Sequence, residues 1–194
     1  MGKRSSFARI ERDYYPTPYP AVAPLLPWLS KKERFCEPCA GDGRLVKYLT
    51  DAGHTCAAAW DIEPRGRGID RQDARSRQIG NITSFITNPP WSRPVLHAII
   101  DNLSAQYPTW LLFDADWIHT RQAAPYWPRC SMVISVGRLK WIENSPHTGK
   151  DNCCWYRFDP DYTGGPRFIG RDFEPTQWQK VGIPFTHVAS MAGV

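Results

Sequence analysis

Arg34-Phe35-Cys36-Glu37-Pro38-Cys39 has the character of a strand and runs directly into Ala40-Gly41-Asp42-Gly43. Arg44-Leu45-Val46-Lys47-Tyr48-Leu49 then takes up helical spacing. Strand, glycine loop and helix in that order open a βα unit, which commits the chain to a sheet covered by helices. Similar signals follow. His54 to Ile62 reads as a second strand ending in Asp61, and a short strand is expected near Gly68-Ile69, ahead of Asp73. Thr83 to Thr87 is a third β-rich run, Pro94 to Ala105 a helix, and Thr109 to Phe113 a strand closing on Asp114-Ala115-Asp116.

Beyond this point the character changes. Met132–Val136, Leu139–Ile142 and Cys153–Phe158 are β-like, and the polar residues 143–152 separate the last two as in an antiparallel hairpin. Ahead of the first strand, Ala21 to Leu29 predicts a short helix interrupted by Pro24 and Pro27. Alternating strands and helices followed by a terminal hairpin indicate an open α/β sheet, mostly parallel. Three parts are expected: a basic arm over 1–19, a main domain over 20–160 and a loop-rich tail over 161–194.

A chain of 194 residues with 42% hydrophobic content can bury a real core as one domain. No apolar run reaches membrane-spanning length and no apolar segment follows the N-terminal residues, so a cytoplasmic protein without membrane partners is expected. The net charge of +5 points to an anionic partner. Lys3, Arg4, Arg9 and Arg12 form one basic cluster, and Arg65, Arg67, Arg71, Arg75 and Arg77 another; either is equally a solvated surface. Among six cysteines, Cys36 and Cys39 have the spacing of half a zinc site, but no second pair completes it. Buried thiols and no metal are expected.

In a sheet of this kind ligands sit at the carboxyl ends of the strands. Glu37 to Gly43, Asp61, Asp73 and Asn88 all fall there. Glycines let backbone approach a ligand closely, and the helix start behind them favours a carboxylate. An acid after the second strand suits ribose hydroxyls, and a further acid suits an adenine amino group. These are the parts of a pocket for an adenosyl amino acid. The loop has no Gly-Lys-Ser/Thr ending for a triphosphate, and it lacks the full dinucleotide fingerprint. At the third strand end stands Thr87-Asn88-Pro89-Pro90-Trp91. Prolines leave carbonyls free to accept, Asn88 adds a side-chain acceptor and Trp91 a flat face, together a receptacle for the amino group of a planar heterocycle. Asn-Pro-Pro is also an ordinary strand-ending turn, with Trp91 a core aromatic.

Glu37-Pro38-Cys39-Ala40-Gly41-Asp42-Gly43, then Asp61, then Asn88-Pro89-Pro90-Trp91 resembles the amino-methyltransferases that use S-adenosylmethionine. In particular it is similar to small, phage-type DNA adenine-N6 methyltransferases, whose cofactor motif precedes the catalytic one. Tyr15-Pro16-Thr17-Pro18 resembles their N-terminal cofactor-contacting motif, and Gly137 to Phe158 their terminal hairpin bordering the base pocket. The resemblance covers about residues 13 to 158. It implies a Rossmann-like class I methyltransferase fold, a seven-stranded, mostly parallel sheet with a C-terminal antiparallel hairpin, and a catalytic domain over 20–160. It assigns Tyr15, Thr17, Glu37, Cys39, Gly41, Gly43, Asp61, Ile62 and Asp73 to the cofactor, with Thr17 near its carboxylate. Asn88 and the Pro89 carbonyl would hold the target amine, with Pro90 shaping the corner and Trp91 stacking on the base.

The implied activity is methylation of adenine N6 in DNA, on a base taken out of the duplex. Asn144 to Asn152 and the arginines 65 to 77 are candidates for backbone contact. RNA or protein-glutamine methylation would use the same chemistry, and a non-catalytic nucleic-acid-binding scaffold would keep the fold alone. Asp114 and Asp116 are expected to be structural, and Lys140, Trp141 and Trp155 to build the hairpin core.

Overall fold

The computed structural model describes residues 14–76, 78–142 and 148–171. The basic cluster Lys3, Arg4, Arg9 and Arg12, together with Arg77, residues 143–147 and the tail beyond Arg171, lies outside the described residues.

Among the described residues eight strands make one sheet: β1 (Arg34–Glu37), β2 (Thr55–Asp61), β3 (Asp70–Arg71), β4 (Ser84–Thr87), β5 (Thr109–Asp114), β6 (Cys130–Arg138), β7 (Asn152–Phe158) and β8 (Arg167–Ile169). Their order is β3-β2-β1-β4-β5-β7-β6-β8. β1 pairs in parallel with β2 and β4, and β4 with β5. β7 alone runs against its neighbours, inserted between β5 and β6. This is the expected mostly parallel sheet with a C-terminal antiparallel hairpin, with eight strands in place of the expected seven.

Alternate side chains of the strands supply two cores. On one face, α1 (Tyr19–Val22), a 3-10 turn (Leu26–Trp28) and α2 (Arg44–Asp51) cover Phe35, Ile86, Trp110, Leu112 and Trp155. On the other, α3 (Arg93–Ser104) and the 3-10 segments 115–129 cover Cys36, Phe85, Leu111, Phe113 and Tyr156. Leu96, Ile99, Ile100 and Leu103 of α3 recur at helical spacing and are all buried, each contributing about 1.5–3 kcal/mol by leaving water. Trp155 donates from its indole to the Ala21 carbonyl at 2.7 Å, which fastens the start of the domain to β7.

The structure departs from expectation at three places. Leu139–Ile142 is not a strand; the partner of β7 is β6, which starts at Cys130 and ends at Arg138. The ladder passes a register shift between Ser135 and Gly137, with Gly137 at φ +88°, and ends at the Arg138–Asn152 pair. Leu139 then accepts from Gly149 N–H at 2.7 Å, closing a loop instead of extending a ladder. Secondly, the segment expected to be loop carries β8, paired in parallel with β6, with Ile169 buried and Phe168 exposed. Thirdly, the strand expected near Gly68-Ile69 lies at Asp70–Arg71. Only residues 62–69 connect β2 to it, too few for a helical crossover. Among the described residues no helix lies between β2 and β4, and Cys56 to Ala59 of β2 stay half-buried as a result.

Candidate active site

The strand order reverses between β1 and β4, where open α/β sheets bind ligands. A cavity of about 320 Å³ lies there, lined from the loops after β1, β2, β3 and β4 and from residues 14–17. Tyr15, Thr17, Glu37, Cys39, Gly41, Asp61, Ile62, Asp73, Asn88 and Pro90 all line it.

Gly41 stands at φ +53° and Gly43 at +85°, backbone that side-chain-bearing residues rarely adopt. A Cβ on Gly41 would come within 2.9 Å of the Tyr14 ring, so glycine is required where the N-terminal segment crosses the loop. Gly43 does not reach the cavity. It precedes α2 and faces Ile69 on the other side of the loop.

Asp61 ties the loops together. One carboxylate oxygen accepts from Gly41 N–H at 2.8 Å and the other from Glu63 N–H at 2.7 Å. A carboxylate oxygen takes more than one donor, so both retain acceptor capacity. Next to it Ile62 is 46% exposed, an apolar surface at the cavity wall. Asp73 is already engaged: Arg75 pairs with its carboxylate at 2.6 Å, and the Arg75 hydrogen bonds hold that carboxyl below its usual range.

Glu37 is the anomaly of the site. It is 1% exposed, and its Oε2 has no hydrogen-bond partner among the described residues. Burial, reinforced by Asp61 and Asp42, pushes its carboxyl well above the ordinary range. A buried acceptor without a donor is costly to a fold. Here it faces a cavity walled by five carboxyl side chains, Glu37, Asp42, Asp61, Glu63 and Asp73, against two guanidinium groups, Arg65 and Arg75. Such a wall favours a ligand bearing cationic and hydroxyl groups and disfavours a polyphosphate.

Asn88 stands where this cavity meets an aromatic group. Its Nδ2 donates to the Tyr15 carbonyl at 3.1 Å. Pro89 is buried and is not part of the cavity lining. Trp91 is half-buried, outside the cavity lining, with its ring edge-on to Trp141 at 5.8 Å; Trp141 meets Tyr15 at 6.1 Å. Trp141 therefore borders the Asn-Pro-Pro corner, whereas only Trp155 of the expected hairpin trio is fully buried. Asp114 pairs with Arg93 at 2.6 Å and accepts from Asp116 N–H at 2.9 Å, a structural role as expected.

Two contributors had no sequence signal of their own. Tyr14 lies over the glycine loop, and the Arg65 guanidinium sits 4.0 Å from its ring centroid. Arg65 reads in the sequence as one of a basic run, and only the fold shows it on the cavity wall. All six cysteines are free thiols. No described helix is long and apolar enough to cross a membrane.

No family model matches the chain, and no curated protein matches it by sequence. Solved structures do. The chain is similar to a putative class I S-adenosylmethionine-dependent methyltransferase from Listeria monocytogenes, with 9% identity and a TM-score of 0.52 over 85% of this chain and 67% of that one. A putative RNA methyltransferase from Pyrococcus horikoshii matches at 15% identity and a TM-score of 0.50, covering 81% of this chain and 92% of that one. A chain of a type I restriction–modification complex matches at 12% identity and a TM-score of 0.53, over 84% of this chain. The match covers 46% of that longer chain, so this chain spans about half its length. At these identities the likeness is one of architecture, and the chain has the Rossmann-like fold of class I methyltransferases.

Proposed function

We propose that this protein transfers a methyl group from S-adenosylmethionine to the N6 amino group of adenine in DNA. The observation that carries the reading is the junction at Asn88, where an acid-lined cavity at the strand ends meets an Asn-Pro-Pro corner flanked by Trp91 and Trp141. The residues present fit the cofactor. Glu37, a buried carboxyl with a partnerless oxygen, suits its ammonium group. Asp61 retains acceptor capacity for ribose hydroxyls, Ile62 offers an apolar face to adenine, and Thr17, Cys39 and Gly41 complete the wall. Asp73 is assigned to the adenine amino group through the acceptor capacity its Arg75 pairing leaves. Gly43 acts indirectly, by setting the loop.

When bound, S-adenosylmethionine supplies an electrophilic methyl on a sulfonium centre. The chain's own task is to present the acceptor. An exocyclic amine conjugated to its ring is a poor nucleophile. The Asn88 carboxamide oxygen and the Pro89 carbonyl accept its two hydrogens, leaving the nitrogen lone pair directed at the donor. Positioning of this kind supplies rate through orientation and requires no covalent intermediate. Cytosine C5 chemistry, which needs a reactive thiolate, is disfavoured: burial raises the Cys39 thiol far above its ordinary range.

A nucleic acid is favoured over protein glutamine as substrate by the net positive charge and the paired indoles, which suit a base removed from its stack. The test is transfer of labelled methyl to duplex DNA, single-stranded DNA, RNA and a glutamine-bearing protein. Label on adenine N6 in DNA is expected; label confined to RNA or to protein glutamine overturns the substrate assignment. Asn88→Ala should bind cofactor normally, by calorimetry, while transfer falls about 10²–10³-fold, the scale seen on removing one oriented electrostatic contact. Normal turnover by that variant refutes the catalytic assignment.

A further inference from the structure

The two ends of a carboxamide are nearly the same shape, so a catalytic asparagine needs something to decide which end faces its substrate. At Asn88 the decision is chemical. The neighbour 73 positions away is the Tyr15 main-chain carbonyl at 3.1 Å, and a carbonyl only accepts. The amide nitrogen must face it. The oxygen is turned away, and it takes no other partner among the described residues.

Tyr15 itself is held firmly. Pro16 follows it, which confines Tyr15 to extended backbone and fixes the direction of its carbonyl. Its ring meets Trp141 edge-on at 6.1 Å. Tyr14 packs on Gly41 beneath Arg65, and Thr17 is buried. The same four residues, Tyr14 to Thr17, line the cavity assigned to the cofactor.

We propose that the Tyr15 main-chain carbonyl is a positioning group for catalysis: it selects the carboxamide orientation in which Asn88 presents its oxygen to the target amine. The inference rests on the proposed function, which makes Asn88 the acceptor of that amine. With the carbonyl weakened, the flipped amide becomes accessible, and an N–H₂ then confronts the hydrogens of the substrate. The segment 14–17 thereby joins the cofactor cavity to the group that handles the acceptor.

The test weakens the carbonyl as an acceptor while keeping the side chain at position 16 constant. Pro16→Ala is compared with a protein carrying lactic acid at position 16, whose ester linkage makes the Tyr15 carbonyl a weaker acceptor. Relative to Pro16→Ala, the ester should lose about three- to tenfold in kcat, the scale of one neutral hydrogen bond, with KM for the cofactor unchanged. An unchanged kcat, or a loss carried wholly by KM, overturns the proposal. A second readout needs no turnover. In the ligand-free protein with its native Pro16, one Asn88 Nδ2 proton should be shifted downfield and slow to exchange, and the ester should abolish both. Two equivalent, fast-exchanging protons in the native protein overturn the orientation even if methyl transfer is robust. Absence of transfer to every acceptor tested sinks the proposed function, while the proton signature still decides the orientation.

Discussion

Glu37→Gln separates what the site costs the fold from what it gives the ligand. Glu37 is sealed from solvent, one of its oxygens lacks a donor, and Asp61 and Asp42 add like charge. Glutamine keeps the shape and removes the ionisable group. Glutamine leaves the same polar position unsatisfied, so the difference is the free energy of holding a buried carboxyl un-ionised while the unfolded chain ionises freely; each kcal/mol of it moves the melting temperature of a chain this long by about 2–4 °C. The ligand-free variant should therefore melt measurably higher at neutral pH. The sign with pH follows from the raised folded pKa. Below about pH 4.3, the unfolded value, the carboxyl is neutral in both states and costs nothing. As pH rises from there towards the raised folded value, the unfolded state ionises freely and the native state does not, so native stability falls. The advantage of the variant should accordingly vanish in acid and grow towards neutrality.

The ligand response should reverse. At 100 times its Kd a ligand stabilises the native state by about 2.7 kcal/mol. Removing one charge-assisted hydrogen bond weakens binding by about 1.5–3 kcal/mol, which leaves the variant about 0.3–1.3 kcal/mol of that stabilisation at the same concentration, half of it or less. Differential scanning fluorimetry with and without S-adenosylmethionine, from pH 4 to 8, reads both effects. A variant that melts no higher without ligand, or that keeps the full ligand-induced shift, refutes the reasoning.

Two further perturbations bear on the neighbouring elements. Trp141→Ala should weaken DNA by about 1–3 kcal/mol, the range for base–aromatic stacking, with cofactor affinity retained; equal DNA affinity in a fluorescence titration would return Trp141 to a packing role. His97 accepts from the Trp117 indole at 3.0 Å, and burial, then Arg93, holds its pKa below the usual histidine value. Its contribution to stability should be constant above about pH 6.5 and be lost on acidification through the lower folded value. Urea midpoints at pH 7.5 and 5 measure this, and His97→Gln, which accepts without titrating, should show a smaller acid loss than the native chain.

Local chemistry wrote much of this protein into its sequence. The glycine loop between β1 and α2 announces itself because left-handed backbone demands glycine, and the helix α3 because four apolar residues recur at helical spacing. Strand ends follow from where apolar runs stop, which is why the sequence alone puts Glu37, Asp61 and Asn88 at one rim. What tertiary structure decided is whatever depends on contacts between distant residues. The β6 ladder to β7 ends at Arg138 and not at Ile142, an end set by pairing with Asn152 across the loop, and β8 is too short to show a period. The missing helix after β2, and with it the exposure of Ala57 to Ala59, came from a connection whose length says nothing about what covers the strand. Likewise the Tyr15 carbonyl meets Asn88 across 73 positions, and Arg65 meets Tyr14 across half a hundred. Backbone carbonyls and ring faces are present at every such residue, so no pattern of residue types marks the ones that meet; only the folded chain brings them within reach.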